Sequence, residues 1–172
     1  MSNGVIGVGD SWIERASPVV IHRVKTRVLA PEELVASKIL WAQTGTFRWC
    51  RYPHVIYGTY GTFDWERTLQ IVGEHWEMLL WSLMLFRNVY PAQTRYVPST
   101  IWRRLLQRFE NQISGPHSDA KFRGGLVDEN MFAIDVNEWE LPNLLEEKRQ
   151  ESSRTNSSGC ATKPMCWCLP GI

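Results

Sequence analysis

The sequence predicts an α+β fold that is mostly α, in which a short N-terminal β-hairpin is followed by a helical bundle. In residues 24–28, valine and threonine alternate with lysine and arginine, with the period of two expected of a half-buried strand. From Trp65 to Leu83, apolar residues recur at helical spacing and form one continuous stripe. No other part of the sequence carries a convincing strand pattern, so helices are expected to dominate.

A short helix is expected before the hairpin. The aspartate and serine at residues 10–11 can accept hydrogen bonds from the free N–H groups of a first helical turn. This helix is expected to end at Ala16, because a proline follows two residues later. The two strands are then expected within residues 19–29, joined by a turn near residues 22–23.

The next helix is expected over residues 31–43. A proline suits its first turn, and the two glutamates that follow complement the positive end of the helix dipole. Leu34, Ile39 and Trp41 are expected to be buried. A shorter helix is expected over residues 53–57, within a segment rich in aromatic residues and glycine.

The apolar stripe that starts at Trp65 is expected to form two helices. Asp64 is placed to cap the first, and Gly73 is placed to separate it from the second. The second helix runs to about Asn88 and is nearly all apolar, so it is expected to be central. One more helix is expected over residues 98–113. Its buried face is expected to contain Ile101, Trp102, Leu105, Leu106 and Phe109.

The C-terminal part of the sequence changes composition. Residues 141–151 have helical character, and from residue 152 the chain is dominated by serine, threonine, asparagine, glycine and cysteine. One domain is therefore expected over residues 1–151, with a disordered tail over residues 152–172. The cysteines match no standard zinc spacing and are interpreted as free thiols. They are Cys50, Cys160, Cys166 and Cys168.

Length and charge limit the classes of function. The chain has 172 residues and a net charge of +1, from 19 Lys plus Arg and 18 Asp plus Glu. The length fits about one domain, and the near-zero charge argues against a nucleic-acid partner. No apolar run reaches the ~18 residues of a membrane span, and the N-terminus has no signal-peptide pattern. A cytoplasmic protein without a membrane partner is expected.

The sequence contains no strong catalytic motif. A phosphate-binding glycine loop, paired helical histidines and a nucleophile elbow are all absent from it. Arg48 and His54 lie six residues apart and could bring a cation close to a general base, as a ribonuclease would need. The competing interpretation is two residues that flank a loop by chance.

A second candidate is a group of cations around Lys38. This lysine is expected on the helix after the hairpin, near the cations of the strands, and clustered cations can hold a phosphate chain. The competing interpretation is a solvated basic edge. The strand cations are Arg23, Lys25 and Arg27.

Seven segments, in order over residues 2–150, carry a family resemblance. They are SNG at residues 2–4, DSWIERA at 10–16, VLAPEELVASK at 28–38, DWER at 64–67, GEHW at 73–76, LFRNVYP at 85–91 and MFAIDVNEW at 131–139. Together they resemble a bacterial family of nucleotidyltransferase-like proteins. The resemblance implies a polymerase-β-like nucleotidyltransferase fold, in which residues 1–30 are a remnant of the sheet and residues 31–151 are the helical region.

The resemblance implies an activity that this sequence is not equipped to perform alone. The family transfers a nucleoside monophosphate from a nucleoside triphosphate to a hydroxyl, using Mg²⁺ held by an Asp-x-Asp pair. No Asp-x-Asp occurs in this sequence. The resemblance thus implies a truncated C-terminal portion with no metal ligands, no catalytic residues and no cofactor of its own. A missing N-terminal half is then one expected partner.

The resemblance also implies a nucleotide site. Glu33, Ser37, Lys38 and Arg51 match a family site beside the triphosphate, with Lys38 as the phosphate contact and Arg51 as a supporting cation. The family has aspartates after the arginine, whereas this sequence has tyrosine, proline and histidine at residues 52–54. A nucleoside triphosphate is the expected small-molecule partner.

Two other functions remain open at this point. The first is a non-enzymatic helical interaction module, whose apolar surface binds another protein chain. The second is the ribonuclease that would use Arg48 and His54.

Overall fold

The computed structural model describes residues 9–40, 52–115 and 121–158. Within them, one antiparallel hairpin precedes a set of helices, so the predicted fold class is confirmed. No helix in these ranges is long and apolar enough to cross a membrane. The strands and helices are α1 Asp10–Arg15, β1 Ser17–Ile21, β2 Val24–Val28, α2 Pro31–Leu40, α3 Tyr52–Gly58, α4 Trp65–Val72, α5 Trp76–Val89, α6 Ser99–Ile113, α7 Gly124–Val127, α8 Ala133–Asn137 and α9 Leu144–Ser158.

The hairpin has the predicted turn but not the predicted burial. Its register runs from Ser17 opposite Val28 to Ile21 opposite Val24. The two turn residues have φ values of 49° and 66°, the left-handed conformation that a tight two-residue hairpin turn requires. The expectation that β2 is half-buried is wrong, because every residue of β2 is exposed. The buried cluster is built from helical and adjoining residues between Val35 and Leu105, and the hairpin contributes nothing to it.

Helix α5 is central, as predicted. Leu79, Leu83 and Phe86 are fully buried and pack against side chains from the helices around α5. Helix α3 is tied to it by a buried hydrogen bond, in which the Tyr52 hydroxyl donates to the Ser82 carbonyl at 3.1 Å. The core is therefore assembled from α2 to α6.

The predicted boundaries around α4 are confirmed. The Asp64 carboxylate caps α4 by accepting a hydrogen bond from the backbone N–H of Arg67 at 2.9 Å. Gly73 follows α4 with a φ of 48°, which favours glycine, and a single 3-10 turn then leads into α5. Helix α2 starts at Pro31 as predicted, whereas its predicted end near residue 43 lies outside the described residues.

The buried face of α6 is narrower than predicted. Ile101 and Leu105 are buried and Trp102 is partly buried, but Leu106 and Phe109 are exposed, so the expectation for these last two is wrong. Helix α6 packs on α5 along one edge, and Leu106 and Phe109 are rotated away from that edge. In helix α2, the buried apolar residues include Val35, Ala36 and Ile39. Leu34 is only partly buried, and Trp41 lies outside the described residues.

The C-terminal helices pack around Gly124, which is buried. A Cβ atom at this position would clash with the ring of Phe122 and lie 2.7 Å from Cγ of Phe132, so only glycine fits. Helix α9 continues to Ser158, beyond residue 152, where the disordered tail was expected to begin. The rest of the tail and all four cysteines lie outside the described residues.

Candidate functional site

The structure describes three residues of the predicted nucleotide site, and all three lie on α2. Glu33 and Ser37 share one face of α2, and Glu33 is fully buried. The Ser37 hydroxyl donates to the Leu34 carbonyl of its own helix at 2.9 Å. Lys38 is partly buried and lies more than a third of a turn around α2 from Glu33. Arg51 lies outside the described residues.

Glu33 is engaged by two arginines rather than open to a ligand. Its Oε1 lies 3.2 Å from Nε of Arg15 in α1 and 3.1 Å from Nε of Arg67 in α4. Its Oε2 is buried and has no hydrogen-bond partner among the described residues. Burying an ionised carboxylate is costly unless cations compensate it, so these two arginines are what keeps Glu33 inside.

Glu32 continues the same network and is also buried. Its Oε1 accepts a hydrogen bond from the backbone N–H of Asp64 at 2.8 Å, and its Oε2 lies 3.7 Å from Nη2 of Arg15. We call Glu32, Glu33, Arg15 and Arg67 the buried ion-pair cluster. Its charged contacts join α1, α2 and α4, so its role is structural. In the described ranges, no three His, Cys, Asp or Glu residues gather as a metal site would require.

The cations of strand β2 and His54 lie on different elements of the fold. Arg27 donates from Nη1 to the Ile13 carbonyl at 2.9 Å and so anchors the hairpin to α1. Lys25 shares its face of β2 and is exposed. His54 is exposed on α3, with its ring edge-on to Tyr90 at 6.4 Å between centroids. Arg48, its proposed partner, lies outside the described residues.

A groove lies between α5 and α6, and the sequence pattern does not predict it. It has a volume of about 720 Å³ and is bounded by the last turns of α5, the 3-10 turn Pro91–Tyr96 and the first half of α6. We call it the α5–α6 groove. Its lining residues are Met84, Arg87, Asn88, Pro91, Thr94, Trp102 and Leu106.

The two helices beside the groove are antiparallel. The groove pairs the end of α5 with the start of α6, while the Arg108 guanidinium lies 4.7 Å above the Trp76 ring at the opposite ends. Trp102 lines the groove, and its indole Nε1 is buried without a hydrogen-bond partner in the described part of the chain. The groove therefore combines an apolar floor with an unsatisfied donor.

The apolar lining of the groove continues along α6. Leu106, Phe109 and Ile113 are spaced by three and four residues, lie on one face and are all exposed. Met84 of α5 is exposed beside Leu106. The sequence signals this surface through the excess of apolar residues on α6, but the same pattern also predicts a buried face.

A third cluster joins α9 to the junction of α4 and α5. Lys148 donates from Nζ to Glu74 Oε1 at 2.8 Å and lies 3.5 Å from Nε2 of His75. The hydrogen bond from Lys148 holds the pKa of Glu74 below its usual value. Burial, and then the charge of Lys148, lower the pKa of His75, so the neutral imidazole is favoured.

Comparison with known proteins finds no family model, curated protein or solved structure that matches the chain. The resemblance to nucleotidyltransferase-like proteins therefore stays a prediction. The α5–α6 groove, the buried ion-pair cluster and the cluster around His75 are the features that bear on function.

Proposed function

We propose that the chain is a non-enzymatic helical protein-interaction module that binds another protein chain in the α5–α6 groove. The observation that carries this proposal is the exposed apolar surface of the groove and of the adjoining face of α6. Its members are Met84, Leu106, Phe109 and Ile113, all exposed. Continuous apolar surfaces of this kind, when they are rimmed by polar residues, are typical of protein-binding sites.

The shape of this surface suits a polypeptide. Phe109 and Ile113 follow Leu106 by three and seven residues. The three side chains therefore extend about 10 Å along α6, at 1.5 Å per residue. When a helical peptide binds in an apolar groove, the side chains that anchor it have a similar spacing. The groove adds depth at one end of this stripe, and Met84 adds an adaptable side chain. A partner that offers one deep apolar anchor and flanking contacts would fit.

The buried ion-pair cluster supports this proposal over a nucleotide site that would use Glu33. Arg15 and Arg67 already occupy the one carboxylate oxygen of Glu33 that has partners, and the side chain is closed to solvent. A ligand could reach Glu33 only by breaking contacts that join α1 and α4 to α2. The cluster therefore supports the scaffold on which the groove is built.

A photo-crosslinking amino acid at position 106 tests the proposal in cells. Val20 on the hairpin provides a matched control, because it is also apolar and is 66% exposed. A discrete crosslinked protein is expected from position 106 and not from position 20. Met84→Asp is expected to lower the yield from position 106. Identical products from both positions, or none from position 106, would refute the proposal.

A second candidate function is nucleotide binding at α2. One observation favours it: Lys38 is a partly buried cation that pairs with no carboxylate among the described residues. Calorimetry of ATP binding in the presence of Mg²⁺ tests it in the unmodified chain and in Lys38→Ala. Lys25→Ala is the control, because Lys25 is an exposed cation of the hairpin. Binding that is lost only in Lys38→Ala would support a phosphate contact. The absence of binding by the unmodified chain would exclude it.

A further inference from the structure

A turn after helix α8 displays a large apolar side chain between two acidic ones. Trp139 is 66% exposed, and its neighbours Glu138 and Glu140 are exposed as well. Tryptophan is enriched, with tyrosine and arginine, among the side chains that dominate protein–protein binding. Because Trp139 is so exposed, it does not occupy the groove of its own chain.

The backbone holds this turn in a defined shape. The N–H of Glu138 donates to the Ile134 carbonyl at 2.8 Å, and the N–H of Leu141 donates to the Asp135 carbonyl at 3.1 Å. Between them, Glu140 adopts a left-handed φ of 54°, as expected where a helix is closed by such bonds. Trp139 is therefore presented on a fixed turn, which lowers the entropic cost of binding through it.

The region around the turn is acidic. Residues 124–147 contain aspartates and glutamates but no lysine or arginine. Glu129 is bound by Arg149 at 3.0 Å, whereas Glu138 and Glu140 pair with no cation in the part of the chain that the structure describes. The two carboxylates beside Trp139 are thus available for cations from elsewhere.

The α5–α6 groove carries the opposite charge. Arg87 lines it, and Arg103 is exposed on α6, three residues before Leu106 and next to Trp102. Within the described ranges, neither arginine pairs with a carboxylate. By contrast, Arg104 is bound by Glu66 at 2.7 Å and Arg123 by Glu77 at 3.4 Å. Arg87 and Arg103 are therefore available to an acidic partner.

We propose that Trp139 of a second copy of this chain inserts into the α5–α6 groove, where Glu138 and Glu140 of that copy pair with Arg87 and Arg103. This inference rests on the proposed function and names its partner. Each copy carries both surfaces, so two copies can exchange the contact reciprocally and close a two-fold dimer. The apolar anchor supplies affinity, and the paired charges supply register and specificity.

A charge swap tests the proposal in the purified chain. The groove variant carries Arg87→Glu and Arg103→Glu, and the turn variant carries Glu138→Lys and Glu140→Lys. In sedimentation velocity the unmodified chain is expected to dimerise, and each variant alone is expected to associate at least about tenfold more weakly. An equimolar mixture of the two variants is expected to regain the dimer, because the acidic groove of one then meets the basic turn of the other, while the reciprocal contact keeps the original basic groove and acidic turn.

Trp139→Ala is expected to weaken the dimer at least about tenfold, whereas Val20→Ala, at an equally exposed apolar position of the hairpin, is expected to leave it unchanged. Circular dichroism verifies that every variant is folded. Dimers that survive Trp139→Ala, or mixed variants that stay monomeric while both are folded, would overturn the proposal.

Crosslinking from position 106 separates this proposal from the proposed function. In a mixture of ¹⁵N-labelled and unlabelled chains, the expected product has twice the chain mass and joins the groove to the tryptic peptide of residues 124–148 of the other copy. In the crosslinking in cells, a product that contains a different protein would overturn the second-copy inference and leave the interaction module standing. No product from position 106 would overturn both.

Discussion

Replacing Glu33 by glutamine tests whether the buried ion-pair cluster stabilises the fold. The carboxylate makes contacts of 3.2 Å and 3.1 Å to the Nε atoms of Arg15 and Arg67. Hydrogen bonds to charged groups contribute about 1.5–3 kcal/mol each. The two arginine side chains retain 46% and 25% of their exposure, so water recovers part of what they lose. Glutamine also keeps the volume and one acceptor oxygen. We expect the free energy of unfolding to fall by about 2 kcal/mol, below the ~3–5 kcal/mol for breaking a fully buried pair.

Glu66→Gln is the matched control for this change. Glu66 makes a shorter contact, 2.7 Å to Arg104, but the two side chains are 60% and 53% exposed. Exposed pairs contribute about 0–1 kcal/mol, because water solvates both partners when the pair is broken. We expect Glu66→Gln to lower the free energy of unfolding much less than Glu33→Gln does. Burial of the ion pair, and not its distance, should thus decide which glutamate contributes more to the free energy of unfolding.

Urea unfolding followed by tryptophan fluorescence and circular dichroism measures both changes. The comparison is valid when the dependence of the unfolding free energy on urea stays the same in all variants. A loss for Glu33→Gln no larger than that for Glu66→Gln would refute the reasoning. It would mean that the cost of removing the carboxylate from water cancels its contacts with the two arginines.

Three further changes test separate parts of the fold. Gly124→Ala should lower the unfolding free energy by more than 1 kcal/mol, roughly the cost of an overpacked core, because its Cβ would lie 2.7 Å from Cγ of Phe132; thermal melting measures it. Asp64→Ala should cost about 1 kcal/mol in urea unfolding, because it removes the cap on the Arg67 N–H. Burial lowers the pKa of His75 below 6.5, so below pH 6.5 the unfolded chain binds more protons than the folded one. Stability should be full above pH 6.5 and decline as pH falls toward the lowered pKa, and urea midpoints across this range should flatten in His75→Gln.

The sequence predicted the features that depend on neighbouring residues. The cap at Asp64, the start of α2 at Pro31 and the break at Gly73 were placed correctly. Each acts within about one helical turn, so its residue type and position are sufficient to identify it. The hairpin turn at residues 22–23 was found in the same way, from the change of pattern between two strands.

Burial and side-chain partners could not be predicted in the same way. Phe109 and Leu105 have the same apolar character in the sequence, and only the edge along which α6 meets α5 makes one exposed and the other buried. The partners of Glu33 come from α1 and α4, which are distant in the chain. Such pairings depend on how helices pack, and no local pattern reports them. The family resemblance predicts a ligand site around Glu33 and Lys38, but it carries no information on the two arginines that pair with Glu33.

The distribution of charge connects the proposed partner with the composition of the chain. A net charge of +1 means that two copies repel each other only weakly at long range. This near balance conceals local segregation, since residues 124–147 lack cations while α6 carries three arginines. In the proposed dimer, two copies would therefore meet with little overall repulsion and with opposite charges on turn and groove. Because exposed charges are screened within about 8–10 Å at 0.1–0.15 M salt, the association should weaken as salt rises. Association driven by the apolar anchor alone would not weaken in this way, so salt dependence in sedimentation separates the two contributions.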